Sequence, residues 1–225
     1  MVNYTLTRSS RKTAAIYVRN GEVEVRAPLR MPRHDIDRFV SEKEQWIIQS
    51  LSKQQSEAAM KESFVINYDS LILFLGKQYP ITQRDGTQAG FDGGVFYMPP
   101  RLSPDQIKFT CVKLYKMLAK VHISNRVAFY SSQMDVIPST VKINNAMRRW
   151  GSCSSRKSLN FSWRLIMAND SVVDYVVVHE LAHIKEMNHS VRFWAIVEDI
   201  LPDYRQRNTK LKELQHRLNI EDWES

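Results

Sequence analysis

At 225 residues the chain is long enough for one large domain or two small ones, and its 43% hydrophobic and 25% charged content with only seven glycines argues against a disordered or fibrous protein. No apolar run reaches the length of a membrane span, which excludes a helical membrane protein, and the first thirty residues carry Arg8, Arg11, Lys12 and Arg19 without an apolar segment, so no secretory leader is expected. The net charge of +8 points to solubility and to some affinity for polyanions, whether nucleic acid or nucleotide phosphates, while Cys111 and Cys153 form no C-x-x-C pair and are expected to be reduced, as in the cytoplasm.

Residues 4–26 read as strands. Ile16–Arg19 and Glu22–Val25 flank Asn20-Gly21, a dipeptide suited to a two-residue type I′ hairpin turn. Residues 33–60 read as one helix, because Ile36, Phe39, Val40, Trp46, Ile47 and Leu51 recur near the helical period. Phe64–Tyr68, Leu71–Thr82 and Phe91–Met98 read as short strands separated by turns at Asp85-Gly86 and Gly93-Gly94. Pro99-Pro100 marks a boundary between an N-terminal β-rich region, 1–100, and a second region, 101–225. A long helical pattern runs from Pro104 to about Met134 and is interruptible near Ser124-Asn125; Val141 and Ile143 suggest a strand after it. The alternation Leu159, Phe161, Trp163, Leu165, Met167 predicts a strand through 167, to be read either as a plain core strand or as one that lines a cleft and pairs with an extended peptide. The turn 151–157 sets small residues beside Arg156 and Lys157 and offers backbone amides to a phosphate, although such a turn is more often a plain connection. In the tail, Leu211, Leu214 and Leu218 predict an amphipathic helix.

The most informative stretch is His179-Glu180-Leu181-Ala182-His183, an H-E-x-x-H pattern. Residues four apart share one face of a helix, so His179 and His183 can point at one metal ion, and the adjacent Glu180 can deprotonate a metal-bound water. The run Val172–Val178 before the motif is almost wholly apolar, so the segment is expected to be buried. Its three consecutive valines favour strand over helix, which sets local preference against the motif's geometry. Buried His and Glu need partners, and a metal supplies one. His189, six residues past His183, would be rotated by roughly 240° on a continuing helix and would miss the metal. The helix is therefore expected to stop between them, with Asn188 as a left-handed stop and Ser190 capping a new helix, Val191–Leu201, ahead of Pro202. Glu198, on that next helix, is the alternative third ligand. The H-x5-H spacing equals that of metzincins, but Glu186 stands where they carry Gly, and no Met follows Met187 to make their methionine turn.

Arg149-Trp150-Gly151-Ser152-Cys153-Ser154, Leu159-Asn160-Phe161, Trp163-Arg164-Leu165, Asp174 through His183, Asn188-His189-Ser190 and Phe193-Trp194 together resemble the YgjP-like metallopeptidase-domain family, and Arg8–Lys12 and Val25–Pro28 extend the resemblance towards the N-terminus. The resemblance implies an α+β fold: a β-rich N-terminal region with a helix, then a zincin-like metallohydrolase core related to Wss1/SprT-type proteins, its H-E-x-x-H helix packed under a small antiparallel or mixed sheet. It also implies one zinc ion on His179, His183 and His189 with Glu180 as base. Some members carry a UTP pyrophosphatase label, so peptide or protein and nucleotide are both candidate substrates. The expected function is zinc-assisted hydrolysis, with a non-catalytic or DNA-associated zinc module as the reading from another class. Arg148, Arg149 and Arg164 are candidate substrate-binding cations by their nearness in sequence.

Overall fold

The computed structural model describes residues 2–223. They form six α-helices and three small sheets, an α+β protein as the sequence predicts. By compactness the chain divides into two units, residues 2–64 with 219–222, and residues 65–218 with 223. This division lies well before the Pro99-Pro100 pair.

In the first unit, β1 (Thr5–Ser9), β2 (Ala15–Arg19) and β3 (Glu22–Pro28) make a sheet of order β1-β3-β2, with β1 parallel and β2 antiparallel to β3. The β2–β3 turn is the expected one: Asn20 and Gly21 both take positive φ, 52° and 77°, as type I′ requires. The helical pattern of 33–60 resolves into two helices, α1 (Arg33–Glu42) and α2 (Glu44–Glu62), parted at Lys43 (φ −104°, ψ 6°). Ile36 and Val40 from one helix and Ile47 from the other join Val23, Val25 and Ala27 in a single core.

The second unit begins differently from expectation. Residues 64–68 form no strand: Asn67 and Ser70 close a turn on themselves, with Asp69 at φ 69°. The segment expected as one strand is a hairpin, β4 (Leu71–Phe74) and β5 (Lys77–Gln83), turning at Leu75-Gly76 (φ 47° and 76°). With β6 (Gly90–Phe91) and β7 (Phe96–Met98) these strands give a sheet of order β4-β5-β7-β6. A Cβ on Gly76 would lie 2.6 Å from Asn169 Cβ, so this turn is also a packing contact.

Helix α3 (Pro104–Gln133) runs without interruption through Ser124-Asn125. Its start is a capping box, in which Ser103 accepts from Gln106 N and the Gln106 side chain accepts from Ser103 N. The third sheet is β8 (Thr140–Asn144), β10 (Ser158–Ser162) and β9 (Gly151–Cys153), with β10 in the middle, parallel to β8 and antiparallel to β9. Two expectations change here. The strand stops at Ser162, and Trp163–Met167 winds into a short 3-10 helix. All five of its residues are buried, so the apolar alternation that suggested a continuing strand does not separate two faces. Moreover β10 is paired on both sides, which leaves β8 and β9, not β10, at the edges of this sheet.

Helices α4 (Asp170–Ala182), α5 (Val191–Ile200) and α6 (Tyr204–Leu218) complete the unit. Valine-rich α4 is helical in spite of its β-branched run. Asn169 caps it by accepting from Val172 N (3.1 Å), and Val172, Val173, Val176, Val177 and Val178 are all buried. Tertiary burial overrides the local preference of valine here. Asp174 on α4 accepts from Arg126 of α3 (2.5 and 2.9 Å) and from Tyr130 Oη (3.0 Å), and Arg207 of α6 lies 3.9 Å away. This network ties three helices together. Leu211, Leu214 and Leu218 of α6 are buried, as their spacing predicts. Among the described residues no helix is long and apolar enough to cross a membrane.

Candidate metal site

Helix α4 carries His179 and Glu180 in its last turn, and His183 is its C-cap residue, still helical in conformation (φ −63°, ψ −18°). One turn apart on one face, the His179 and His183 rings lie 5.0 Å apart. The helix ends earlier than expected. Ile184 N donates to Leu181 O and Glu186 N to Ala182 O, so the chain reverses at 183–186. Asn188 is not left-handed; its Oδ1 instead accepts from Ser190 N (3.1 Å). Ser190 caps α5 as predicted, accepting from Phe193 N (3.3 Å).

This reversal brings His189 back over α4. Its ring lies 5.0 Å from His179 and 4.7 Å from His183, and the nitrogens of the three imidazoles that are available as ligands all lie within 4.8 Å of one another. His189 Nε2 and His179 Nε2 are 3.0 Å apart. Phe193, fully buried, forms the floor: its ring lies 4.9, 4.5 and 4.7 Å from the rings of His179, His183 and His189.

The electrostatics favour the neutral form of His179 and His183. Burial, reinforced by His183 and His189, pushes His179 down to about 3. Burial also lowers His183, against a hydrogen bond between its Nδ1 and Glu186 O (3.1 Å). A carbonyl only accepts, so in the neutral ring Nδ1 carries the proton and the Nε2 lone pair is free. Buried His179 Nδ1 has no hydrogen-bond partner among the described residues. Three imidazoles converging on one point fit a divalent transition-metal ion, whose ligand form is the neutral ring.

Glu180 is 6% exposed, and its burial raises it to about 8, partly opposed by the positive charge of Arg149. Its carboxylate is confined by β9. A Cβ added to Gly151 would lie 2.5 Å from Glu180 Oε1, so only glycine leaves room for this carboxylate. A cavity of about 170 Å³ opens here, lined by Trp150, Gly151, Tyr175, Val176, His179, Glu180 and Leu211.

Three arginines were candidates for substrate binding, and they fall in different places. Arg149 is exposed and close enough for its charge to act on Glu180. Arg148 is exposed. Arg164 is 8% exposed; it donates to Asn145 O (3.2 Å) and lies over the Trp163 ring. Glu198 is exposed on α5 and is not part of the metal-capable histidine cluster. In the turn after β9, Ser154 N donates to Ser158 O, Lys157 N to Ser154 O and Ser158 N to Ser154 Oγ, so these amides are engaged within the hairpin. Gly151, Tyr175, Phe193 and Leu211 belong to the site without having been singled out for it.

The family model described as YgjP-like, metallopeptidase domain, matches residues 12–214. No curated protein matches the chain. Two solved structures are similar over part of it. The metallopeptidase zymogen of Pyrococcus abyssi abylysin is 19% identical, covers 43% of this chain and 94% of its own, and superposes with a TM-score of 0.38. The metallopeptidase zymogen of Methanocaldococcus jannaschii jannalysin is 19% identical, covers 40% and 94%, and gives 0.37.

Proposed function

This chain belongs to the YgjP-like metallopeptidase-domain family, and from that premise we propose that it is a zinc-dependent hydrolase of peptide bonds, with His179, His183 and His189 as zinc ligands and Glu180 as general base. The observation that carries the reading is the convergence of three imidazoles beside one buried carboxylate. Three protein ligands leave one position for water, the arrangement of a working site and not of a closed structural one. A bound zinc ion supplies Lewis acidity, which lowers the pKa of water from about 16 towards 7 and polarises a carbonyl.

The chain's own residues do the rest. A Glu180 carboxylate oxygen takes the water proton and then delivers it to the nitrogen of the leaving amine. Burial gives Glu180 a high proton affinity, and the positive charge of Arg149 offsets part of that effect. Gly151 leaves the space in which Glu180 sits. The outer edge of β9, unpaired among the described residues, offers backbone groups to an extended peptide running past Glu180. Of the three arginine candidates, exposed Arg149 is the one suited to meet a substrate carbonyl, and Arg148 is its exposed neighbour.

The test is metal removal and return. Protein stripped by a chelator is offered an unfolded polypeptide, before and after stoichiometric zinc. Cleavage that disappears and returns with zinc supports the reading; cleavage indifferent to the metal refutes it.

A further inference from the structure

Two of the three imidazoles are placed by one helix, but His189 is not. It lies in the coil between α4 and α5 and is itself exposed, so its backbone alone does not aim its ring. The ring is instead held in a column of aromatics. His189 stacks on Trp194 (5.7 Å, 26°), Trp194 on Tyr204 (5.3 Å, 19°), and Tyr204 on Tyr175 (6.5 Å, 21°). Tyr175 meets His179 edge-on (5.9 Å, 67°), and His179 Nε2 faces His189 Nε2 at 3.0 Å. The five rings form a closed circuit drawn from α4, the coil, α5 and α6.

Burial is graded along this circuit. Tyr175 is 4% and Tyr204 7% exposed, Trp194 is half-buried, and His189 is exposed. The anchored end is therefore in the core and the free end is the candidate ligand. Offset and tilted ring pairs at these separations are attractive and directional, so each ring restricts the rotamers of the next. An exposed histidine without such a neighbour would populate several rotamers, most of them pointing away from His179 and His183.

We infer that Trp194 and Tyr204 are positioning residues for the third metal ligand. They hold the His189 imidazole over the pair on α4, and so make the first residue of the last helix part of the metal site. The inference rests on the proposed role of His189 as a ligand. Neither residue touches the reacting atoms; they act through His189 by limiting the conformations lost on metal binding.

The experiment measures metal binding by the full chain, not turnover. Metal-free protein is titrated with zinc against a chromophoric chelator, and with cobalt, whose visible absorption reports four-coordinate geometry. The variants are Trp194→Leu, Trp194→Phe, Tyr204→Leu, Tyr204→Phe and His189→Ala, with thermal unfolding of each metal-free form measured alongside. Removal of partners that orient a ligand costs about 10- to 100-fold in metal affinity. The inference predicts a loss in that range for Trp194→Leu and Tyr204→Leu, with a weakened cobalt band, and near-parental affinity for the two Phe variants, which keep a stacking ring. If buried Tyr204→Leu fails to fold, half-buried Trp194 carries the test. Wild-type affinity and cobalt spectrum in Trp194→Leu, together with a large loss in His189→Ala, would leave His189 a ligand and overturn the positioning role. Unchanged affinity in His189→Ala would remove the ligand assignment itself, and the inference with it.

Discussion

Helix α4 and the coil that follows it build one site by opposite means. On α4, two histidines and a glutamate are set by helical spacing alone, inside a segment so apolar that five valines are buried around it. In the coil, His189 has no regular backbone to aim it and takes its place from what it packs against: Phe193 beneath and Trp194 alongside. Local geometry places the first pair and the buried carboxylate, while tertiary packing places the third imidazole. The rigid part of a metal site can thus be short, provided that a second element delivers the remaining donor.

The sharpest way to break this comparison is at the carboxylate. Glu180→Gln should retain metal, because the three histidines are untouched, while turnover falls by about a thousandfold, the usual scale of a lost general base. Metal quantification and a cleavage assay on the same sample check this. The next largest effect lies in the packing that fixes α4. Asp174→Ala leaves Arg126 without its carboxylate partner and should cost about 3 kcal/mol in denaturant unfolding, without a selective change in metal affinity for the molecules that remain folded. Gly151→Ala probes the contact between β9 and α4. Its Cβ would clash with Glu180, so about 1–3 kcal/mol of stability should be lost together with activity. Adding Glu180→Ala to it should restore stability but not turnover, which separates the steric conflict from the chemistry.

The smallest effect at neutral pH concerns the cysteines. Buried Cys111 on α3 is pushed up from 9 to about 12 by burial, so the folded form holds its proton where the unfolded form has lost it. That contribution to stability is complete below about pH 9 and is lost as pH rises towards 12. An unfolding series across this range should show the decline, and Cys111→Ala should lessen it. At neutral pH an alkylating reagent should modify the less buried Cys153 first.

Legibility in the sequence follows the same division. The H-E-x-x-H face, the Ser190 cap, the Asn20-Gly21 hairpin and the leucines of α6 are written at short spacing, and the structure contains them. Features decided by distant partners were hidden. Trp163–Met167 alternates like a strand, yet every residue in it is buried, so the pattern carries no information about faces. Residues 33–60 have one helical period but two helices, because Ile36, Val40 and Ile47 keep that period across the break at Lys43 and so do not report it. The reversal after His183 does not use Asn188 as a left-handed stop, since backbone bonds from 184–186 close it first. Tyr204 reaches His189 through one intervening ring, that of Trp194, and no local pattern reports such a connection.

The most direct test of the central claim is a paired assay on metal-quantified wild type and Glu180→Gln, each offered an unfolded protein and, separately, nucleoside triphosphates. The account predicts peptide cleavage by the wild type, about a thousandfold less by the equally metal-loaded variant, and no pyrophosphate release by either. Pyrophosphate release that depends on Glu180, without proteolysis, would contradict it.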